Sequence, residues 1–362
     1  MRILGFGREF AGFVPDPITD FIYNPAYLKT FGENSKSFNR LQIYSFMRFF
    51  NSMMLLQPQS DLEFFEKDEL LSLFVLYPKI GLAYRIGAWQ RLDERSYYKL
   101  EPWLYGQEGF LYSLNIGKWL KLGVEYNFSW NNAPDWYNII KYDSVGNPRE
   151  ASIMHLEWSN EGGMGIILTD NKNWRFALAG KKNWETNSFT ADTTFWFYWP
   201  KDEPVVWNNN YTEFHLNSNF RLDIKRISIG MVLKYYRLYN ELGDYFDSRY
   251  SYRPGLGIIF YLDNSLLLIS AVSYALNKRD DFTTSRKLIF PVGFEKEFST
   301  ILNFRFGDTF VYEYRYDTAI FIIRNIINTG LDIKPHQKLY LHFATSNLFS
   351  DDIWHFGLSF VL

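Results

Sequence analysis

The chain has 362 residues, a formal charge of −2, a pI near 6.3 and no cysteine. It therefore offers no broad basic field for nucleic acid, no disulfide or thiolate chemistry and no cysteine metal site. Aromatic residues make up 20% of it, yet mean hydropathy is −0.23, as expected if apolar residues alternate with polar ones; the lack of a run of about 18 apolar residues argues against transmembrane helices.

The first residues, Met1 to Gly7, do not make a secretory signal, because the apolar stretch is short and stops at Arg8 and Glu9. An exported chain of this sequence would be a mature part or a truncated reading frame. Residues 1 to 36 contain Pro and Gly and lack clear alternation, which predicts a plug or cap with short helical turns. Inside it, Asn24 precedes Pro25 and is pushed out of the helical region, while Pro25 suits the first turn of a helical stretch through Ala26 and Leu28. Asn24 is then a candidate N-cap.

From Asn39 onward the chain reads as alternating strands. In Trp119 to Trp130, Leu120, Leu122, Val124, Tyr126, Phe128 and Trp130 share one face, and Lys121, Gly123, Glu125, Asn127 and Ser129 the other. The same contrast separates Ile80, Leu82, Tyr84 and Ile86 from Gly81, Ala83, Arg85 and Gly87, and Ile227, Ile229, Met231 and Leu233 from Ser228, Gly230 and Lys234. In a membrane barrel the apolar face meets lipid and the polar face lines the lumen.

Short turns are expected at Tyr77-Pro78-Lys79, Gly117-Lys118, Asp170 to Asn173, Lys225-Arg226, Asp263-Asn264, Phe298 to Thr300 and Pro335 to Lys338. Longer connections alternate with them, at about 51–69, 90–107, 131–149, 184–208, 240–249 and 278–286, with smaller ones near 315 and 348–352. Short turns on one side and long loops on the other are the habit of outer-membrane barrels. The count is about sixteen strands, or fourteen if two segments merge. The last segment, Trp354 to Leu362, places Trp354, Phe356, Leu358, Phe360 and Leu362 on one face, directed at lipid. It resembles the C-terminal signal strand of bacterial outer-membrane β-barrels, although it ends on Leu where Phe or Trp is usual. A closed barrel leaves no unpaired edge, so this strand is expected to pair antiparallel with the one beginning near Asn39.

Predicted lumen-lining positions carry both signs: Arg85, Lys121, Glu125, Glu213, Arg221, Lys234, Glu295 and Arg305. Rings of one sign would serve ion selectivity; mixed signs favour salt bridges that stiffen the wall or hold a plug. The five histidines show no ligand spacing, and no metal is expected. On Glu213 to Leu222, His215 and Asn217 share the polar face and Ser218 the opposite one; with no GxSxG elbow, lumenal polar residues are favoured over a hydrolase. Trp119, Trp130, Trp174 and Tyr235 read as interfacial girdle residues, while Trp136, Tyr137, Trp199 and Trp207 could shape a hydrophobic vestibule.

The run Asp16-Pro17-Ile18-Thr19-Asp20-Phe21-Ile22-Tyr23-Asn24-Pro25-Ala26-Tyr27-Leu28 resembles the N-terminal signature of the FadL-type barrels that carry fatty acids and aromatic hydrocarbons, and of related secretion-associated barrels. The resemblance covers under a tenth of the chain. Together with the alternation and the turn count, it implies an all-β, antiparallel transmembrane β-barrel of 14 to 16 strands in the bacterial outer membrane, fourteen being the number of that family. Residues 1–36 would be a hatch containing Phe21, Tyr23, Asn24, Pro25 and Ala26, and residues 37–362 the barrel. It further implies passive uptake of a hydrophobic small molecule, with no cofactor and no enzyme activity. The alternative is a non-transporting barrel that anchors or assists secreted proteins at its surface loops.

Overall fold

The computed structural model describes residues 10–15, 20, 23–28, 42–50, 68–77, 80–91, 103–131, 136–142, 148–191, 205–242, 245–263, 265–280, 282–316, 318–336, 339–346 and 353–361. Among these, seventeen strands follow the N-terminal segment. They are β1 (Gln42–Phe50), β2 (Asp68–Tyr77), β3 (Leu82–Arg91), β4 (Trp103–Ile116), β5 (Leu120–Asn131), β6 (Trp136–Tyr142), β7 (Pro148–Thr169), β8 (Trp174–Ala191) and β9 (Val205–Ile224). The second half adds β10 (Ile227–Leu242), β11 (Tyr245–Tyr261), β12 (Leu266–Arg279), β13 (Phe282–Glu297), β14 (Leu302–Arg315), β15 (Ile320–His336), β16 (Leu339–Ser346) and β17 (Ile353–Val361).

All ladders are antiparallel and join neighbours in sequence, except where β5 passes over to β7 and where the last strand meets the first. Both β5 and β6 pair with β7, Leu120–Trp130 against Leu168–Trp158 and then Trp136–Tyr142 against Met154–Pro148. They are consecutive lengths of one stave, so seventeen strands make sixteen staves. Pairing runs from β2 through to β17, and β17 pairs with β1 from Gln42 opposite Val361 to Phe50 opposite Ile353. On its other side β1 pairs with β2. The terminal strand thus meets the first one in the antiparallel sense expected from its pattern. The side chains of Trp354, Phe356 and Phe360, and residue Leu362, lie outside the described residues.

The alternation in sequence becomes an alternation in exposure. Tyr84, Val124 and Met231 are 44%, 48% and 50% exposed, whereas Ala83, Lys121 and Ser228 are 0%, 2% and 1% exposed. An outer face of Leu, Val, Ile, Phe and Tyr with a polar interior suits a wall standing in lipid and is the reverse of a soluble sandwich.

Breaks between strands fall at all seven expected short turns, where Pro78, Lys79, Asn264, Gln337 and Lys338 lie outside the described residues. Three of the expected long loops are mostly strand. The 131–149 stretch contains β6, only residues 243–244 separate β10 from β11, and only 280–281 separate β12 from β13. Above the lipid both faces of a strand are wet. The apolar and polar contrast fades there while the backbone ladder continues, and alternation alone therefore ends the strand too early.

Candidate functional site

The described part of the N-terminal segment lies against the inner face of the wall, at the end carrying the short turns. Its backbone forms tight turns: Asn24 N–H donates to Asp20 O at 2.9 Å, Tyr27 N–H to Asn24 O at 3.0 Å and Leu28 N–H to Pro25 O at 3.3 Å. Asn24 Oδ1 accepts the Ala26 N–H at 3.0 Å, which is the capping role its position before Pro25 suggests. The same side chain reaches into the wall, because Nδ2 donates to Ile166 O on β7 and to Leu178 O on β8, both at 3.3 Å.

Two inward glycines permit that approach. A Cβ on Gly123 of β5 would collide with the backbone of Pro25 and Ala26, coming within 2.7 Å of Ala26 Cα, and one on Gly165 of β7 would meet the Asn24 amide. Glycine inside a strand here marks backbone lying on backbone. Tyr27 then inserts sideways: its hydroxyl donates to Asn219 Oδ1 at 3.1 Å, and the Arg175 guanidinium sits 4.8 Å from its ring centre. Tyr23 receives Lys234 Nζ at 5.5 Å from its ring.

Burial follows in two clusters. Ala26, Tyr27 and Leu28 pack with Leu76, Ala83, Leu111, Ile167 and Ala177. Phe10, Ala11, Phe13 and Val14 pack with Val232, Ile259, Leu267, Ile269 and Ala271. Apolar inner side chains thus gather under the segment, beside the polar Asn219, Arg175 and Lys234. A cavity of about 30 Å³, room for one water, lies between Asp20, Tyr23, Asn24, Tyr27, Asn217 and Asn219.

Elsewhere along the inner face, beside the short turns as well as above them, charges are paired. Glu125 is held by Lys181, whose Nζ is 3.8 Å from Glu161, and Asn127 Nδ2 donates to Glu161 Oε1 at 2.8 Å. Glu213 accepts Asn183 Nδ2 at 3.4 Å, with His215 Nε2 at 3.7 Å. Across the barrel, Arg305 bridges Glu295 at 2.6 Å and Asp332, and His342 Nδ1 lies 2.8 Å from Asp332. Glu313 gathers Arg324 at 2.8 Å, Arg315 at 3.2 Å and Lys287 at 3.7 Å. Arg221 joins Asp223 at 2.8 Å and the Tyr261 hydroxyl at 3.0 Å. Each such pair ties neighbouring residues or strands and leaves few inner charges to act alone.

The eight charged positions read from alternation all lie on this inner face: Arg85, Lys121, Glu125, Glu213 and Arg305 are buried, and Arg221, Lys234 and Glu295 make the contacts above. Tyr23, Asn24, Pro25 and Ala26 come together at the wall; Phe21 lies outside the described residues. So do Trp199 and the side chains of Trp136, Tyr137 and Trp207. Sequence reading missed Phe13, Tyr27, Lys181, Glu313 and Asp332. One signal was present, since Gly123, Gly165 and Gly257 stand at inward positions where a second chain segment must pass.

No protein-family model and no curated protein matches the chain in sequence. Solved structures share its fold. The CymD monoaromatic hydrocarbon channel overlays with a TM-score of 0.50 at 10% identity, covering 100% of this chain and 99% of that one. CdiB from Escherichia coli gives a TM-score of 0.50 at 10% identity over 88% of this chain and 63% of that one. A Pseudomonas aeruginosa FadL homologue gives 0.48 at 9% identity, covering 100% and 98%. What the first two share with this chain at these identities is the outer-membrane β-barrel fold.

Proposed function

We propose that this chain is an outer-membrane barrel for passive uptake of hydrophobic small molecules, of the long-chain fatty acid or aromatic hydrocarbon class, with residues 1–36 as its hatch and 37–362 as its wall. The observation that carries the reading is the N-terminal segment seated inside the barrel by Asn24, on two glycines that make room for it. A plug held by a few hydrogen bonds and two apolar clusters is releasable in a way that a continuous wall is not. The full-length overlay on a structure described as a monoaromatic hydrocarbon channel supports the cargo class. The charges Arg85, Lys121, Glu125, Glu213, Arg221, Lys234, Glu295 and Arg305 then stiffen the wall around the hatch.

A second reading is a barrel that does not transport and instead serves protein partners at its surface. The tightness of the seat favours it, since the cavity beside the segment holds only about 30 Å³. Uptake of a labelled long-chain fatty acid, and of a labelled monoaromatic hydrocarbon, into liposomes carrying the folded protein separates the two. Transport predicts uptake above empty liposomes, faster in Asn24→Ala. No uptake by a folded barrel of either form overturns the transport reading.

A further inference from the structure

We propose that the outer face of β8 to β13 carries a binding band for phosphate-bearing membrane lipid at the level of the headgroups on the loop side. The band is independent of what passes through the lumen. Its core is one lateral rung across five strands: Lys182 on β8 pairs with Phe214 on β9, Phe214 with Arg237 on β10, Arg237 with Tyr250 on β11, and Tyr250 with Lys278 on β12. Arg286 on β13, opposite Leu276, continues it one outward step away. All of these positions share the strand face of the exposed Trp184, Met231, Tyr252, Tyr274 and Leu288.

Cations on a lipid-facing surface need a reason. At mid-membrane each would cost about 2–4 kcal/mol, falling to about 0–1 kcal/mol at an interface. Height along the wall gives the answer. Lys182 lies eight residues beyond the start of β8, Arg237 ten beyond the start of β10, Lys278 twelve beyond the start of β12, and Arg286 eleven before the end of β13. A tilted strand climbs about 2.5 Å per residue, which sets them roughly 20–30 Å above the short turns. That is the far rim of an apolar band about 25 Å tall.

Each cation is also held in place by an aromatic ring. Lys182 Nζ is 4.7 Å from the Trp184 ring centre, Arg237 Cζ 4.1 Å from Tyr239, Lys278 Nζ 5.5 Å from Tyr250 and Arg286 Cζ 5.3 Å from Tyr316. Among the described residues none of the four pairs with a carboxylate, whereas Lys181, Arg305 and Arg324 on the inner face do. Cations on β8, β10, β12 and β13, the first three roughly 10 Å apart, with apolar side chains below them, present charge to phosphates and surface to acyl chains of the same lipids.

The test is lipid selectivity of the full chain in phosphatidylcholine vesicles, read with trace spin-labelled phosphatidic acid against spin-labelled phosphatidylcholine. The wild type is expected to prefer phosphatidic acid several-fold. Neutralising the band together, Lys182→Gln, Arg237→Gln, Lys278→Gln and Arg286→Gln, should bring the ratio close to one, and Arg237→Gln alone should lower it part of the way, by roughly one and a half- to twofold. A control with equal charge removed at the short turns, Lys118→Gln, Lys172→Gln, Lys225→Gln and Arg226→Gln, should keep most of the preference. Heat-modifiable migration checks folding of every variant, and the single substitution decides if the fourfold one fails to fold. A wild type without preference, a band variant that retains it, or displacement of the lipid by millimolar inorganic phosphate would each overturn the assignment.

Discussion

Asn24 supports three hydrogen bonds with one side chain, and they do different things. Its oxygen closes the local turn, while its amide group joins that turn to β7 and β8. Asn24→Ala leaves buried donors and acceptors unmatched, at about 1–3 kcal/mol. We expect faster amide exchange over residues 23–28 with unchanged protection of the strands, measured by hydrogen–deuterium exchange. The Glu125 and Lys181 pair makes a sharper case, because both side chains are enclosed. Lys181→Met strands a buried carboxylate and should cost about 3–5 kcal/mol, whereas Lys181→Met with Glu125→Leu should cost much less; urea midpoints of the reconstituted barrel test this. Asp170, in the turn between β7 and β8, shows the opposite use of a carboxylate. Its Oδ1 accepts the N–H groups of Trp174, Lys172 and Asn173 at 2.9, 2.9 and 2.8 Å, which hold its pKa below the usual carboxylate value. A depressed folded pKa gives stability that is present above the unfolded pKa and is lost as pH falls through the folded one. Asp170→Asn should therefore be less stable than wild type at neutral pH, with the difference shrinking in acid. A constant difference across pH would contradict this.

At the scale of elements, β17 and β1 decide the architecture. Both strands are short, and their ladder is the longest-range contact in the chain. The absence of cysteine makes the register directly testable. Tyr44 stands opposite Ser359, so Tyr44→Cys with Ser359→Cys should cross-link through a short thiol reagent and change migration on denaturing gels. Tyr44→Cys with Ile353→Cys, six positions out of register, should not. A stronger yield from the mismatched pair would refute the ladder. The strands β9, β10 and β11 teach a different lesson. Their lower halves were legible, since Ile227, Met231 and Leu233 alternate with Ser228 and Gly230. Their upper halves were not, because Arg237, Asn240, Asp247 and Arg249 mix polarity on both faces while the backbone pairing continues to Leu242 opposite Tyr245. A period-2 signal needs one dry face, and above the lipid there is none.

For the whole molecule, the outward face is the governing fact. Tyr84, Val124, Trp119, Met164 and Met231 are all more than 40% exposed, and they repeat around successive strands. Such a surface should make the protein dependent on detergent and give a folded form that migrates differently from the boiled one. A monomer stable in buffer without detergent would refute the membrane reading. Closure of the sheet pointed to the pairing of its last strand with its first, while the alternating strands, the seven short turns and the inward set from Arg85 to Arg305 were legible in the chain alone. Those follow from local chemistry: side chains point to opposite faces at every step, and turns need particular residues. It takes the folded chain to show that β5 and β6 share one stave, that Asn24 bonds to Ile166 and Leu178 more than a hundred residues away, and that Lys182, Arg237 and Lys278 fall on a single rung. The reason is register. Which residue stands beside which across a ladder is set by the pairing of whole strands and the tilt of the wall, and no local pattern in the chain carries that information.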